Sequence, residues 1–382
     1  MQPRHEPSAV FVGKTRIPSP PGEDIDKELE IISRHLRPIA VNIGRPGLRR
    51  QGSAVQLLLP ALRPAFLGGV FFYAVSPLVA LGWAAGRHAR AVVCKSPYEA
   101  VGVLALRGLL PRRARPAVEI QLHGDWTTAW TMYGSPARRL VGPWADRVAQ
   151  WALRRADRVR VVSTVLEQRV REAGYQGPVD RYLTFSNFGV FLDQPLFPVP
   201  SESKVAFVGV LEPYKAVDVL LDSWKAVASR VPDAQLTIVG AGPQEAELRN
   251  QARGLGLDGT VRFVGHLQRA EVRAVIDDSS CLVLPSRSEG LPRIVMEAMA
   301  RGRAVVASTV GGMAEFIEDG SNGRLVPPED PVALAEALIG VLSDPTSKRA
   351  MGDEARRRAV ERSPMQEYEA GIARLASWIS AT

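Results

Sequence analysis

The stretch from Val283 to Met299 constrains this chain more than any other. Cys281-Leu282-Val283-Leu284 is a short apolar run, the pattern of a buried parallel strand. Pro285 and Ser286 end it, Gly290 permits a close backbone approach, and Pro292 suits the first position of a helix. Ile294 to Ala300 is apolar except for Glu297, so that helix is expected to be buried on most sides. Strand, Gly-containing loop and helix in that order leave the N–H groups of Gly290, Leu291 and Arg293 pointing above a sheet, where they form an anion site. Two carboxylates flank the turn. Glu289 lies in the loop, where it complements the helix dipole or binds a ligand. Glu297 stands inside the apolar helix, where a lone charge is costly unless a donor meets it. A structural Arg or a pair of ribose hydroxyls would serve.

The surrounding residues make a choice. Glu289-Gly-Leu-Pro-Arg-Ile-Val-Met-Glu297 resembles the Glu, seven residues, Glu motif of retaining GT-B glycosyltransferases, in particular family 4, the glycosyl transferases group 1. Ala298 to Ala307, Gly311-Gly312-Met313-Ala314-Glu315 and Asp319-Gly320-Ser321-Asn322-Gly323 continue that resemblance in order. The resemblance implies an α/β fold of two Rossmann-like domains facing across a cleft. It implies that Glu297 holds a nucleotide ribose and Glu289 the transferred sugar.

A chain of 382 residues suggests two domains, and 46% hydrophobic residues supply their cores. Cys94 and Cys281 both sit in apolar strand-like runs and read as reduced core residues. The net charge of +8 is unevenly spread: residues 1–200 carry 27 Lys and Arg against 15 Asp and Glu, and residues 201–382 carry 21 against 25. A basic first half points to an anionic partner, a membrane surface or an acidic acceptor. No nucleic-acid motif accompanies it. No apolar core segment follows Met1, so no signal peptide is expected, and a cytoplasmic location on the inner membrane face is. Phe66 to Gly86 is uncharged and long enough to span a bilayer, but Gly68, Gly69, Pro77 and Gly82 interrupt it. A buried helix, or one lying on a membrane surface, is the expectation.

Along the chain, Ala9 to Gly13 reads as a first strand. The family places a Gly-Gly loop after it, near the donor phosphate; here Gly13 and Lys14 are the counterparts. Asp24-Ile25-Asp26 has the spacing of a metal motif from a different fold, but acidic residues also suit a helix start, and no metal or other cofactor is expected. Val118 to Leu122 is a strand that delivers His123-Gly124-Asp125-Trp126 at its C-terminal end, where open α/β sheets bind ligands. His123 resembles the family's histidine near the sugar. Thr128 to Trp144 sets Trp130, Met132, Tyr133 and Trp144 beside Arg138, Arg139 and Arg147, which suits a core, an acceptor or a membrane interface. Ala156 to Ser163 is read as a strand, and Pro195 to Ser203 as the linker.

The first domain is therefore expected at 1–198, with the acceptor, and the second at 199–364, with the donor. A last helix over 365–382 returns to the first domain. In the second domain Val205 to Gly209 is a new first strand, and Gly240-Ala241-Gly242-Pro243 turns out of the strand Gln235 to Val239. Val261 to Gly265 leads to His266, which in the family flanks the nucleotide base. One departure stands out. The family's Gly-Arg-Leu, then Lys-Gly, reads here Gly209-Val210-Leu211-Glu212-Pro213-Tyr214-Lys215-Ala216. Lys215 is kept, while Val210 replaces an Arg that would give the diphosphate a bidentate partner. Lys14, Arg287 and Arg293 are the candidate substitutes.

The expected function is retaining transfer of a hexose from a nucleoside diphosphate sugar to a glycan or lipid-linked acceptor. His123 and Glu289 are the expected catalytic residues. Gly13, Lys14, Gly209, Lys215, Gly242, His266, Gly290, Leu291, Pro292, Arg293 and Glu297 are the expected donor site. The rivals are a non-catalytic sugar-nucleotide-binding partner subunit and a sugar-nucleotide epimerase of the same fold.

Overall fold

The computed structural model describes residues 7–18, 22–87, 89–127, 136–187, 189–362 and 364–382. They form two compact units: one holds the described residues up to Asn187 together with Pro364–Thr382, and the other the described residues from 189 to 362. The division falls at Asn187, ahead of the Pro-rich segment and earlier than the expected 198. Two buried arginines explain the difference. Arg301 donates to the carbonyls of Phe191, Gln194 and Pro195. Arg303 donates to those of Phe197 and Pro198. The Pro-rich segment is thereby part of the second unit.

The first unit is built on an eight-stranded sheet. Its strands are β1 (Ser8–Arg16), β2 (Arg37–Gly44), β3 (Gly47–Gln51), β4 (Ala54–Pro60), β5 (Ala91–Cys94), β6 (Ala117–Leu122), β7 (Arg158–Val161) and β8 (Val179–Arg181). They lie in the order β3-β4-β2-β1-β5-β6-β7-β8. Every pair is parallel except the β3–β4 edge hairpin. β5 is wholly buried, as a strand covered on both faces must be. The edge strand reads Gly-Leu-Arg-Arg-Gln, polar enough to protect a free edge. Arg49 on it pairs with Asp26 at 3.2 Å. That carboxylate and Asp24 stand in the first turn of the helix Glu23–Ser33, where the helix dipole favours them. The C-terminal helix Pro364–Ala381 buries Tyr368, Ile372, Leu375 and Ile379 against Phe11, Ile32, Tyr182 and Phe185, all in the first unit.

The second unit carries six parallel strands: β9 (Lys204–Val208), β10 (Gln235–Val239), β11 (Val261–Gly265), β12 (Cys281–Leu284), β13 (Ala304–Ser308) and β14 (Gly323–Val326). Their order is β11-β10-β9-β12-β13-β14, the doubly wound arrangement. The strand order reverses between β9 and β12. Such a sheet binds ligands at the carboxyl ends of the strands beside that reversal. Here those ends deliver Gly209 and the Pro285–Gly290 loop.

Candidate functional site

In the second unit the loop after β12 and the loop after β9 meet. Lys215 ends a short 3-10 turn, Pro213–Lys215, and the next residue, Ala216, is left-handed at φ 51°. A glycine reaches that conformation without strain, while Ala216 holds it with its Cβ buried. The turn aims Lys215 Nζ at Glu289 Oε1, 2.5 Å away. Ser286 Oγ donates to the same oxygen at 2.7 Å. Both charged side chains are about nine-tenths buried, so this is a largely desolvated pair at the mouth of β12.

The helix that follows is Arg293–Ala300. Pro292 caps it and Arg293 opens it, one residue later than the sequence suggests. With φ −74° and ψ 120°, Pro292 keeps the extended backbone of a cap. Among the described residues, the amides of Gly290, Leu291 and Arg293 donate to no other residue. A Cβ on Gly311 would lie 2.1 Å from the Glu289 carbonyl oxygen, so only glycine there allows the two loops to touch. Glu297 is largely buried on this helix, with Arg269 Nη2 at 3.7 Å from Oε1. That contact is an ion pair longer than a hydrogen bond.

Three glycines bring backbone to this end of the sheet. A Cβ on Gly242 would fall 2.3 Å from the Leu211 carbonyl oxygen. One on Gly240 would fall 1.8 Å from that of Gly209, so these two turns are packed backbone to backbone. Gly209 itself has Lys215 Cε at 3.4 Å from its Cβ position. Val210 is 47% exposed beside them. His266, after β11, is also exposed.

Of the three cations named as substitutes for an arginine at Val210, Arg287 is engaged within the unit. Its guanidinium is bound bidentately to Asp218, at 2.9 and 2.6 Å, and also to Glu329 and the Pro213 carbonyl. It is a structural clamp under the Lys215 turn. Arg293 is exposed at the helix start.

In the first unit, Gly13 and Lys14 lie on β1. A Cβ on Gly13 would meet Lys95 Cδ at 2.9 Å, so the glycine lets that lysine lie along the strand. Lys14 Nζ sits 5.2 Å from the centre of the Tyr73 ring. Its backbone N–H donates to Glu99 Oε1 at 2.7 Å. Glu99 is buried, and its Oε2 has no partner among the described residues. Burial pushes its pKa from 4.5 up to about 7, against the pull of the Lys14 amide and Lys95. Between those values the folded chain holds a proton that the unfolded chain has lost, so this group's contribution to stability falls as pH rises. Glu99→Gln removes that contribution. The variant should gain stability relative to the parent as pH rises from about 4.5 to about 7, read as the difference in urea midpoints. A pH-independent difference would contradict it.

His123 follows β6. Its Nδ1 lies 3.1 Å from Thr184 Oγ1 and 3.2 Å from Arg160 Nη1. The residue is exposed, with Nδ1 turned to Thr184 and Arg160. Desolvation by the protein around the ring, with the Arg160 and Lys95 charges, holds the imidazole well below its ordinary pKa. Asp125, two residues on, pairs with Arg169 at 2.5 Å. Arg160 is the residue that sequence reasoning missed. Trp130, Met132 and Tyr133 lie outside the described residues, and Trp144 is 70% exposed.

The two units, each built on a largely parallel α/β sheet, have the fold of GT-B structures. Residues 193–358 match the family model of glycosyl transferases group 1. The chain is 29% identical over 257 residues to a glycogen synthase of Mycobacterium tuberculosis, covering 64% of this chain and 61% of the relative. It is 38% identical over 158 residues to a phosphatidyl-myo-inositol mannosyltransferase of Mycolicibacterium smegmatis, 40% of each chain. The chain thus spans less than two thirds of the length of these curated relatives. Sucrose-phosphate synthase from Thermosynechococcus elongatus has the same fold, with a TM-score of 0.76 at 19% identity over 98% of both chains. HepE of Anabaena, solved in complex with UDP-glucose, superimposes with a TM-score of 0.71 at 19% identity, covering 98% of this chain and 99% of that chain.

Proposed function

We propose that this protein transfers a hexose, with retention, from a nucleoside diphosphate sugar to an acceptor held by the first unit. The observation that carries the reading is the Lys215–Glu289 pair at the β12 turn. A buried cation there, beside open helix N-terminal amides, suits a departing diphosphate. Glu289 then turns to the sugar, Glu297 takes the ribose hydroxyls, and Gly209 and Gly242 let backbone approach the phosphates. His266 flanks the base. In the first unit, Gly13 and Lys14 serve the donor phosphate, and His123 meets the sugar. The diphosphate oxygens take the acceptor proton as the sugar leaves, so no protein base and no metal is required. UDP-glucose, with which HepE was solved, is the first donor to try.

The test is incubation with labelled donor, with and without acceptor. A transferase moves label to acceptor and only slowly hydrolyses the donor alone. An isomerised donor would mark an epimerase, and an unchanged one a binding subunit, the role that Val210 would favour.

The two glutamates should separate by phenotype. Glu297→Ala is expected mainly to weaken nucleotide binding, and Glu289→Ala mainly to lower kcat. Free nucleotide binding Glu297→Ala as tightly as the parent would contradict the ribose assignment. With Arg287 committed, Lys14 or Arg293 should contact the diphosphate. Removing that residue should cost about 1.5–3 kcal/mol of donor affinity, as for a charge-assisted hydrogen bond. Unchanged affinity in both Lys14→Ala and Arg293→Ala would contradict it.

The acceptor we propose is lipid-linked, used at an anionic membrane surface. The stretch from Phe66 to Gly86 lies in one helix, Ala65–Arg87, long and apolar enough to cross a membrane. Phe72, Ala80, Leu81 and Ala84 are buried, while Leu67, Val70, Tyr73 and Leu78 are exposed. A helix buried on one side and apolar on the other, in a basic half of the chain, suits insertion into an anionic interface. Flotation with phosphatidylglycerol vesicles should carry the protein up at low salt and less of it at high salt. No flotation at low salt would remove the membrane reading and leave the transferase reading intact.

A further inference from the structure

Arg160 is 1% exposed, although it lies in a short strand among apolar neighbours. On β7 it pairs with Gln121 of β6, and His123 follows Gln121 by two residues, on the same side of the sheet. The guanidinium is fixed from two sides. Nη2 donates to the Tyr182 carbonyl at 2.7 Å, and the plane lies 4.4 Å from the centre of the Tyr182 ring. Nε is buried with no partner among the described residues. Nη1 faces His123 Nδ1 at 3.2 Å.

An arginine has only donors. The imidazole nitrogen facing Nη1 must therefore be an acceptor, or a second N–H of a buried cation is left unmade. The Thr184 hydroxyl, 3.1 Å from the same nitrogen, can either donate or accept, so it imposes no tautomer of its own. We infer that Arg160 is a positioning residue: it locks His123 in the Nε2–H tautomer, so that the ring presents a hydrogen-bond donor to solvent and to an oxygen of the ligand.

The consequence is specific. His123 cannot serve as a base through Nε2, because that nitrogen already carries the proton. Nor does it present a cation, since Arg160 and Lys95 oppose a second proton. It is built to donate to a sugar hydroxyl or a phosphate oxygen. This rests on the assignment of His123 to the sugar only for its meaning, not for its chemistry.

The experiment is long-range 1H–15N correlation on the full chain labelled at histidine, with His123→Gln to assign the signal among the five histidines. The parent should show Nε2–H and no titration between about pH 5.5 and 8, a window in which a free imidazole titrates. Arg160→Met, which keeps length and removes the donors, should let His123 exchange between tautomers and titrate, while Arg160→Lys should restore the lock. The same Arg160→Met chain should lose roughly 10–100-fold in kcat/KM, as when a histidine loses its orienting partner. An Nδ1–H parent, or an unchanged spectrum in Arg160→Met, overturns the inference. If Arg160→Met does not fold, Thr184→Val decides: the Nε2–H signal should persist, and its loss would assign the lock to the threonine instead. Transfer unchanged in His123→Ala, with the Nε2–H signal present in the parent, would sink the sugar assignment alone.

Discussion

Lys215→Ala should lose both turnover and stability, and a second substitution should restore only one of them. The lysine is bound to Glu289 at 2.5 Å in a pair that is largely out of water. Removing it leaves a buried carboxylate that still accepts from the Ser286 hydroxyl but has lost its countercharge, and orphaning such a charge costs about 3–5 kcal/mol. The charge that would stabilise a departing diphosphate also goes, a loss of about 10²–10³ in kcat by analogy with removal of an oxyanion donor. In Lys215→Ala with Glu289→Gln the stability should largely return, because no lone charge remains buried. Turnover should not return. Denaturant midpoints and single-turnover rates for the four proteins of this cycle separate the two effects. Restored turnover in the double variant would mean that Lys215 is a structural partner of Glu289 and nothing more.

Arg301→Leu should be the most destabilising single change in the second unit. Arg301 is fully buried, and it holds Asp277 at 2.6 and 3.1 Å. It also binds the carbonyls of Phe191, Gln194 and Pro195 at 2.6–3.0 Å. The leucine leaves the Asp277 carboxylate unpaired and three carbonyls without this donor. Breaking a buried pair alone costs about 3–5 kcal/mol, a large part of the 5–15 kcal/mol by which a typical protein is stable. Arg301→Leu should therefore fail to accumulate as folded protein or should unfold at a far lower urea midpoint. Adding Asp277→Asn should recover part of the loss, since the lone charge is gone. An unfolding free energy within about 0.5 kcal/mol of the parent would contradict the clamp, because that is the size of an ordinary surface substitution.

These two residues also show how far the sequence could be read. The β12 strand, the turn and the buried helix were legible because short-range signals agree: an apolar run, a Pro-Ser stop, a glycine and an apolar helix with one charge. The partner of Glu289 was not legible, because Lys215 is 74 residues away and only the fold brings it near. The same holds for Arg301 and Arg303, whose acceptors include carbonyls about a hundred residues earlier. A carbonyl has no residue type, so no motif marks it. Arg287 was illegible for the same reason: it stands in the right loop, but Asp218 and Glu329, distant in sequence, engage it.

Arg160 had a readable signal that the strand pattern concealed. Arg158 and Arg160 fall two apart in Arg158-Val159-Arg160-Val161, and so on one face of a strand whose every residue is buried. A buried charged pair of that spacing is informative in a way that the flanking valines are not. The edge strand Gly47–Gln51 carries no apolar alternation, Gly-Leu-Arg-Arg-Gln, so no periodic signal marks it. The helix Ala65–Arg87 runs through Pro77 and its glycines, because packing on the sheet and on the helix Pro97–Leu106 outweighs local propensity. Gly102 there receives the Pro77 ring: a Cβ on it would lie 2.3 Å from Pro77 Cγ.

The central claim is that the β12 turn, with Lys215, Glu289 and Glu297, binds a nucleoside diphosphate sugar. Calorimetric titration of the full chain with UDP, GDP and ADP, repeated on Glu297→Ala, tests it most directly. The account predicts that one of the three nucleotides binds the parent and that Glu297→Ala binds it at least about tenfold more weakly, the equivalent of about 1.4 kcal/mol. Binding of none of the three, or equal affinity in parent and variant, would contradict it.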